Sequence, residues 1–478
     1  MKSNFVYSWG RVGAAAAILS LNACAPGQDT PTPTIAVDVS RYVAIGDSYT
    51  AGLSAGGLTR ASQEFSYPNL IAQQLGSVSG NTSFTQPLLE AGTGSGYLRL
   101  LELTSVGIPR TQRVPGTAVR RTIINPAACG GADTVRVLTR SATAPALPQN
   151  LGIPGLRLTQ IETPNLGNET TASPTAVFNP YFERLLPAAD GRTYLQATAS
   201  TLAGATFFTF FLGLDDLMPY VRSGGQCGAT PNSTLSTQMK VNARKILDQL
   251  AGRGVPGIIA QLPDLTTLPI LRLGKGLELQ ARLQASTRDT ARLYITGTFN
   301  STVGQPVSNA DYVLATAITR IGRMTQVLVG STMMTLPYGR DIRNPVVDAD
   351  VLDFDEVSRV NSVLVNYNRS TNPNPATGLS LEELAKRYRL PVVSASQGES
   401  TLRLDNELFF PLASASYSFE GVIYSAEPVR GGAFSADSYT FTPRGNALLA
   451  NVFIMAINKA YKAKLPIVNV NNYPTLAQ

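Results

Sequence analysis

Histidine is absent from all 478 residues. The chain therefore lacks the side chain that titrates near neutral pH, and with it the commonest metal ligand. Histidine-dependent catalysis and a histidine-ligated zinc site are both excluded. Tryptophan occurs once, at Trp9, and cysteine three times, at Cys24, Cys129 and Cys227. Charged residues are sparse, at 15%, while hydrophobic residues reach 44%. That balance supplies a core and carries no signature of disorder. No stripe of basic residues interleaved with aromatics occurs, so nucleic acid is not an expected partner. There is no internal repeat.

The formal charge of +7 owes two units to Lys2 and Arg11. Both lie before Cys24 in a stretch with no acidic residue, and removing that stretch would leave +5. Val12 to Leu21 (VGAAAAILSL) is an apolar run of suitable length for a signal-peptide core and too short to span a bilayer. It leads into Leu21-Asn22-Ala23-Cys24, which resembles a lipobox, with Cys24 as the lipidated residue. Residues 1–23 are then a lipoprotein signal peptide and residues 24–39, Pro/Thr-rich at APGQDTPTPT, a tether. The implied location is the bacterial cell envelope, anchored by lipid, with the outer membrane first choice. Cys129 and Cys227 sit in Gly-rich loops and in that compartment would either pair in a disulfide or remain separate thiols.

From about residue 40 strand-like and helix-like runs alternate. Tyr42–Ile45 is a short apolar run ending at Gly46, Ala205–Leu212 (ATFFTFFL) a second, and Val255–Gln261 a third. Met239, Ala243, Ile246, Leu247 and Leu250 have helical spacing, with Gly252 and Gly254 expected to close that helix. Ser380 and Glu383 form a capping box before a helix to Arg389, followed by a strand at Pro391–Ser394. A last helix is expected over Pro443–Tyr461. This alternation predicts an α/β fold with a central parallel sheet and helices on both faces. The Gly/Pro/Thr-rich stretches near 80–150 and 265–350 show no core pattern of their own and read as insertions. The expectation is a single domain over 40–465 with a tail at 466–478, and a monomer.

Gly46-Asp47-Ser48-Tyr49-Thr50-Ala51-Gly52 follows the first strand directly. A serine just beyond a strand's end is presented at the carboxyl edge of the sheet, where open α/β sheets place their ligand sites. Together with three later segments, this element resembles the SGNH (GDSL-type esterase/lipase) hydrolase family, lipoprotein subgroup. Asn150-Leu-Gly-Ile-Pro-Gly155 resembles the second block of that family, Gly213-Leu-Asp215-Asp216 the third (normally Gly-x-Asn-Asp), and Asp437-Ser-Tyr-Thr440 the last (normally Asp-x-x-His). The stretches FNPYFERL and QLPDLTTLP and the tail resemble the subgroup as well.

The resemblance implies a flavodoxin-like three-layer fold and serine acyl transfer to water. Ser48 would be the nucleophile and Asp437 the triad carboxylate. Ser48 N–H and Gly155 N–H (Gly152 being the second choice) would act as oxyanion donors. Thr440 occupies the histidine position and Asp215 that of the oxyanion asparagine. A threonine cannot act as the base. An ionised aspartate accepts hydrogen bonds only, unless Asp216 and aromatic neighbours keep it protonated.

Two expectations follow from these replacements. One is a weakly active or inactive hydrolase relative, kept as a lipid-anchored binding or structural protein. The other is a working esterase whose base is Asp437 or a bound water. The ligand implied is an ester, a lipid or an acylated glycan, with no cofactor. The carboxylates Asp47, Asp215, Asp216 and Asp437 are expected to be separate structural and capping groups rather than a metal site.

Overall fold

The computed structural model describes residues 34–80, 84–125, 133–141, 147–169, 177–296, 304–370, 378–393 and 417–476. Cys24, Cys129 and most of the expected tether fall outside this set. The described residues belong to one compact unit that begins at Pro33. Ile35 and Val37 pack against the main core, and Val39 is buried in it. At the other end Val468 and Val470 are buried in the same core, and Asn451 clamps Val468 by hydrogen bonds to its N–H and carbonyl.

Four parallel strands form the central sheet: β1 (Tyr42–Gly46), β2 (Phe207–Phe211), β3 (Gly257–Ala260) and β4 (Val392–Val393), side by side in that order. Every residue of β1, β2 and β3 is buried, as runs covered on both faces require; Thr209, the polar residue in β2, shares a hydrogen bond with the Tyr42 hydroxyl. Beyond β1, Asn150 bridges Ala44 in parallel, and Leu151 N–H donates to the Ala44 carbonyl. Counting that segment, the second stretch to reach the sheet lies outside the first, and the third lies on the first's other side. The sheet order thus reverses between β1 and β2, the place where ligand crevices open in such sheets.

Helices α1 (Ser48–Ala51), α2 (Tyr67–Ser79), α3 (Leu214–Arg222), α4 (Ser233–Asp248), α6 (Phe354–Asn368), α7 (Leu381–Tyr388) and α8 (Pro443–Tyr461) surround it, while α5 (Gly276–Thr287) packs in a second hydrophobic cluster. Tyr67 of α2 stacks on Phe453 of α8, with ring centres 5.0 Å apart. Phe207 and Phe211 of β2 meet Tyr461 and Phe453 of α8. Phe208 and Phe210 alternate to the other face and are fully buried. α4 packs against both α6 and α7, while the Tyr367 hydroxyl of α6 donates to the Leu212 carbonyl just past β2.

The capping box at Ser380 and Glu383 forms with both hydrogen bonds, and α8 spans Pro443–Tyr461 with Thr442 as N-cap. Helix α4 ends at Asp248, before the glycines; Gly254 instead caps a 3-10 turn over Ala251–Arg253.

The insertions differ from expectation. A second hydrophobic cluster joins Val106 and Ile108 of the first insertion to Leu273, Leu279, Leu293 and Val346 of the second. The core is shared, so neither stretch shows a pattern of its own. The first insertion also builds two antiparallel hairpins, Gly96–Leu103 with Pro109–Pro115 and Val119–Asn125 with Asp133–Leu138.

Candidate active site

Ser48 begins α1 immediately after β1, and Asp215 lies in the first turn of α3 immediately after β2. Because β1 and β2 are register neighbours, with Gly46 opposite Phe211, the two side chains converge over the sheet's carboxyl edge. Ser48 Oγ donates to Asp215 Oδ2 at 2.5 Å. The same oxygen accepts the Ser48 N–H at 3.1 Å and the Gly155 N–H at 2.9 Å. Gly155 N–H also lies 3.2 Å from Ser48 Oγ. Gly155 has φ +74°, a conformation that turns its N–H to this point and that side chains rarely adopt. The other carboxylate oxygen, Oδ1, accepts from the Tyr439 hydroxyl at 3.2 Å. All these groups point donors at Asp215, which acts as the common acceptor.

Asp47 has a different task. Its Oδ2 accepts the N–H groups of Gly213, Leu214 and Asp215, capping the start of α3 from across the sheet edge. Burial, reinforced by the Asp215 charge, pushes its pKa well above the ordinary carboxyl value. Asp216 fastens the loop that carries Gly155. It accepts the Leu158 N–H at 2.6 Å and both the N–H and hydroxyl of Thr159. Burial raises its pKa to about 6. Tyr439 is fully buried and its pKa is pushed well upward, first by burial and then by the Asp215 charge, so it remains a neutral donor.

Asp437 and Thr440 form a separate unit. Thr440 Oγ1 donates to Asp437 Oδ2 at 2.6 Å, and Asp437 Oδ1 accepts the N–H groups of Tyr439 and Thr440. Gly56 N–H and the Ser435 hydroxyl complete its partners, none of which is Ser48 or Asp215. Thr440 is fully buried. Gly152, the second choice for an oxyanion donor, directs its N–H to Asn150 instead. It is a glycine for space, since a Cβ there would lie 2.4 Å from Ala51 N.

A cavity of about 300 Å³ opens over Ser48 and Asp215, with Gly155, Arg157, Arg222 and Tyr439 among its walls. The Arg222 guanidinium lies 4.8 Å from the centre of the Tyr439 ring. Among the described residues there is no group of three or more potential metal-ligating side chains. Cys227 is half-buried and forms no disulfide among the described residues; Cys129, with which it would either pair or not, lies outside them.

Compared with protein-family models, curated proteins and solved structures, the chain matches none.

Of the residues expected from sequence, the structure brings together Ser48, Gly155 and Asp215, and sets Asp437 with Thr440 in a neighbouring turn. Tyr439 and Arg222 were missed. Arg222 carried a signal in its spacing: Asp215, Met218 and Arg222 fall at i, i+3 and i+7 of one helix, and all three line the cavity. Tyr439 lies inside the last motif, directly before Thr440.

Proposed function

We propose that this chain is a lipid-anchored protein of the bacterial cell envelope, an SGNH-type hydrolase relative whose serine site is retained for binding and no longer turns over esters. One observation carries this reading. Asp215 Oδ2 sits between the Ser48 and Gly155 N–H groups, the place a substrate's carbonyl oxygen must occupy for acyl transfer. The oxyanion position is filled by the protein's own carboxylate. An oxyanion forming beside it would meet like charge, worth about 4 kcal/mol at 4 Å and an effective dielectric of 20. With no histidine in the chain, nothing replaces the triad base, whose loss costs on the order of 10⁶ in kcat in serine hydrolases.

The sheet order, reversed between β1 and β2, supports the flavodoxin-like form of this fold. The anchor rests on the apolar run Val12–Leu21 and the Leu21–Cys24 motif that follows it, and is tested by incorporation of labelled fatty acid, expected to vanish in Cys24→Ser.

The repair variant Asp215→Asn with Thr440→His tests the function. Asp437 already holds position 440 by side-chain contact, so an imidazole there would find its orienting carboxylate in place. Ser48-dependent hydrolysis of a short-chain ester is expected in the double variant and not in the natural chain. A folded but inert double variant, or turnover by the natural chain, contradicts the reading.

The direct Ser48–Asp215 hydrogen bond favours a second reading, a serine–carboxylate dyad. In it the Oγ proton passes to Asp215 Oδ2 as Oγ attacks the ester carbon. That reading requires Ser48-dependent turnover that Asp215→Asn abolishes.

A further inference from the structure

A second and larger cavity, of about 770 Å³, lies where the two insertions meet the segment 427–430. Its size is that of a small-molecule site. The turn Ser105–Gly107 forms one wall, α5 a second, and Pro428 with Arg430 a third. Ser286 of α5 donates to Ser105 Oγ at 2.5 Å and ties the first two together. Glu278, Ala281, Arg282 and Ala285 follow one another at i, i+3, i+4 and i+7, so a single helix face is turned to the cavity. Two of these four are alanines, which leaves the groove open. Val106 and Leu273 are buried beside it and give it an apolar floor.

The polar groups around that floor are unbalanced. Three guanidiniums, of Arg272, Arg282 and Arg430, face two carboxylates, of Glu278 and Glu427. Glu278 is shared between Arg272 and Lys275, at 2.9 Å from each. Arg282 spends its N–H groups on the uncharged carbonyls of Val106 and Leu273. Burial lowers its pKa from the ordinary arginine value, against the opposing charges of Glu278 and Glu427 and with that of Arg272. Arg272 Nε is buried with no hydrogen-bond partner, an orphan donor of the kind folded proteins rarely leave. Arg430 is exposed and makes no ion pair among the described residues.

We propose that this groove binds an anionic amphiphile, a single aliphatic chain ending in a carboxylate or phosphate. The head would be held by the guanidiniums of Arg272 and Arg430, which suit planar or tetrahedral oxyanions. The chain would run over Val106 and Leu273 past the alanine face of α5. The apolar residues line a recess rather than project, so the occupant is one molecule that enters and not a bilayer surface.

Titration calorimetry with laurate and dodecyl phosphate, both kept monomeric, tests this on the full chain. Saturable one-to-one binding is expected for both and absent for dodecyltrimethylammonium. Dodecyl maltoside, inorganic phosphate and acetate are each expected to bind at least about tenfold more weakly, lacking either charge or chain. Arg430→Gln, at an exposed position, is expected to weaken binding about tenfold with the fold unchanged. Ala285→Trp, also exposed, is expected to abolish it by filling the groove. The proposal is overturned by absent binding, by equal binding of the neutral or cationic chain, by phosphate alone binding as tightly, or by Arg430-dependent binding to anionic vesicles without binding of the monomer.

Discussion

Replacing Asp215 with alanine empties the acceptor position at the centre of the serine site. Four donors lose their partner: the N–H groups of Ser48 and Gly155, the Ser48 hydroxyl and the Tyr439 hydroxyl. Each buried donor left unsatisfied costs about 1–3 kcal/mol, but the adjoining cavity admits water, so a net loss of about 3–5 kcal/mol is expected. The vacated space is then an anion site of defined shape, two backbone N–H groups, the Ser48 hydroxyl and a phenol around the former Oδ2 and Oδ1. Formate or acetate should return to it. Binding to the folded state alone adds RT ln(1 + [L]/Kd), about 1.8 kcal/mol at twenty times Kd. Urea unfolding of natural chain and variant, with formate at constant ionic strength and chloride as control, gives the numbers. Formate is expected to stabilise Asp215→Ala and leave the natural chain unchanged. The reasoning is refuted if the variant is as stable as the natural chain, or if formate stabilises both alike.

Three further outcomes are expected. Asp216 has its pKa raised to about 6, so the native state holds its proton more tightly than the unfolded chain does. Its stabilising contribution is therefore complete below about pH 3.8 and lost as the pH passes 6, falling by up to about 1.4 kcal/mol per pH unit. Asp216→Asn should flatten that part of the stability–pH curve, and an unchanged slope would contradict the assignment. Gly152→Ala places a Cβ 2.4 Å from Ala51 N and 2.6 Å from Thr50 C, both backbone atoms that cannot swing aside. A loss of about 2–4 kcal/mol in chemical unfolding is expected, and a near-neutral result would show that the contact with α1 is looser than described. Asp47→Ala removes the acceptor for three N–H groups at the start of α3. Hydrogen exchange of the α3 amides should accelerate more than that of α8, and equal acceleration in both helices would count against a local cap.

The parts of the fold readable from sequence are those whose signal is local. β1 is an unbroken apolar run, β2 one interrupted only by Thr209, and α8 carries its N-terminal proline and an apolar face at helical spacing. The Ser380–Glu383 capping box is complete within four residues. What escaped was shared between distant segments. Val106 and Leu279 belong to one core although 173 positions separate them. The segment at Asn150 reaches the sheet through one bridge and has no strand pattern.

The site divides in the same way. Ser48, Gly155 and Asp215 were located by motif. The motif does not say that Asp47 serves a helix 166 or more positions away, or that Asp215 fills the space between two N–H donors. Nor does it place Asp437 and Thr440 in a turn of their own. Those relations come from β1 and β2 lying in parallel register, which juxtaposes their following loops.

The most direct measurement is fluorophosphonate labelling of the natural chain, read by intact mass at pH values from about 5 to 9, a range that ionises carboxylates and spans any carboxylate base. With the carboxylate in the oxyanion position and no histidine to take the proton, Ser48 is expected to remain unlabelled throughout. Stoichiometric labelling at Ser48, lost in Ser48→Ala, would contradict a serine site closed to acyl chemistry.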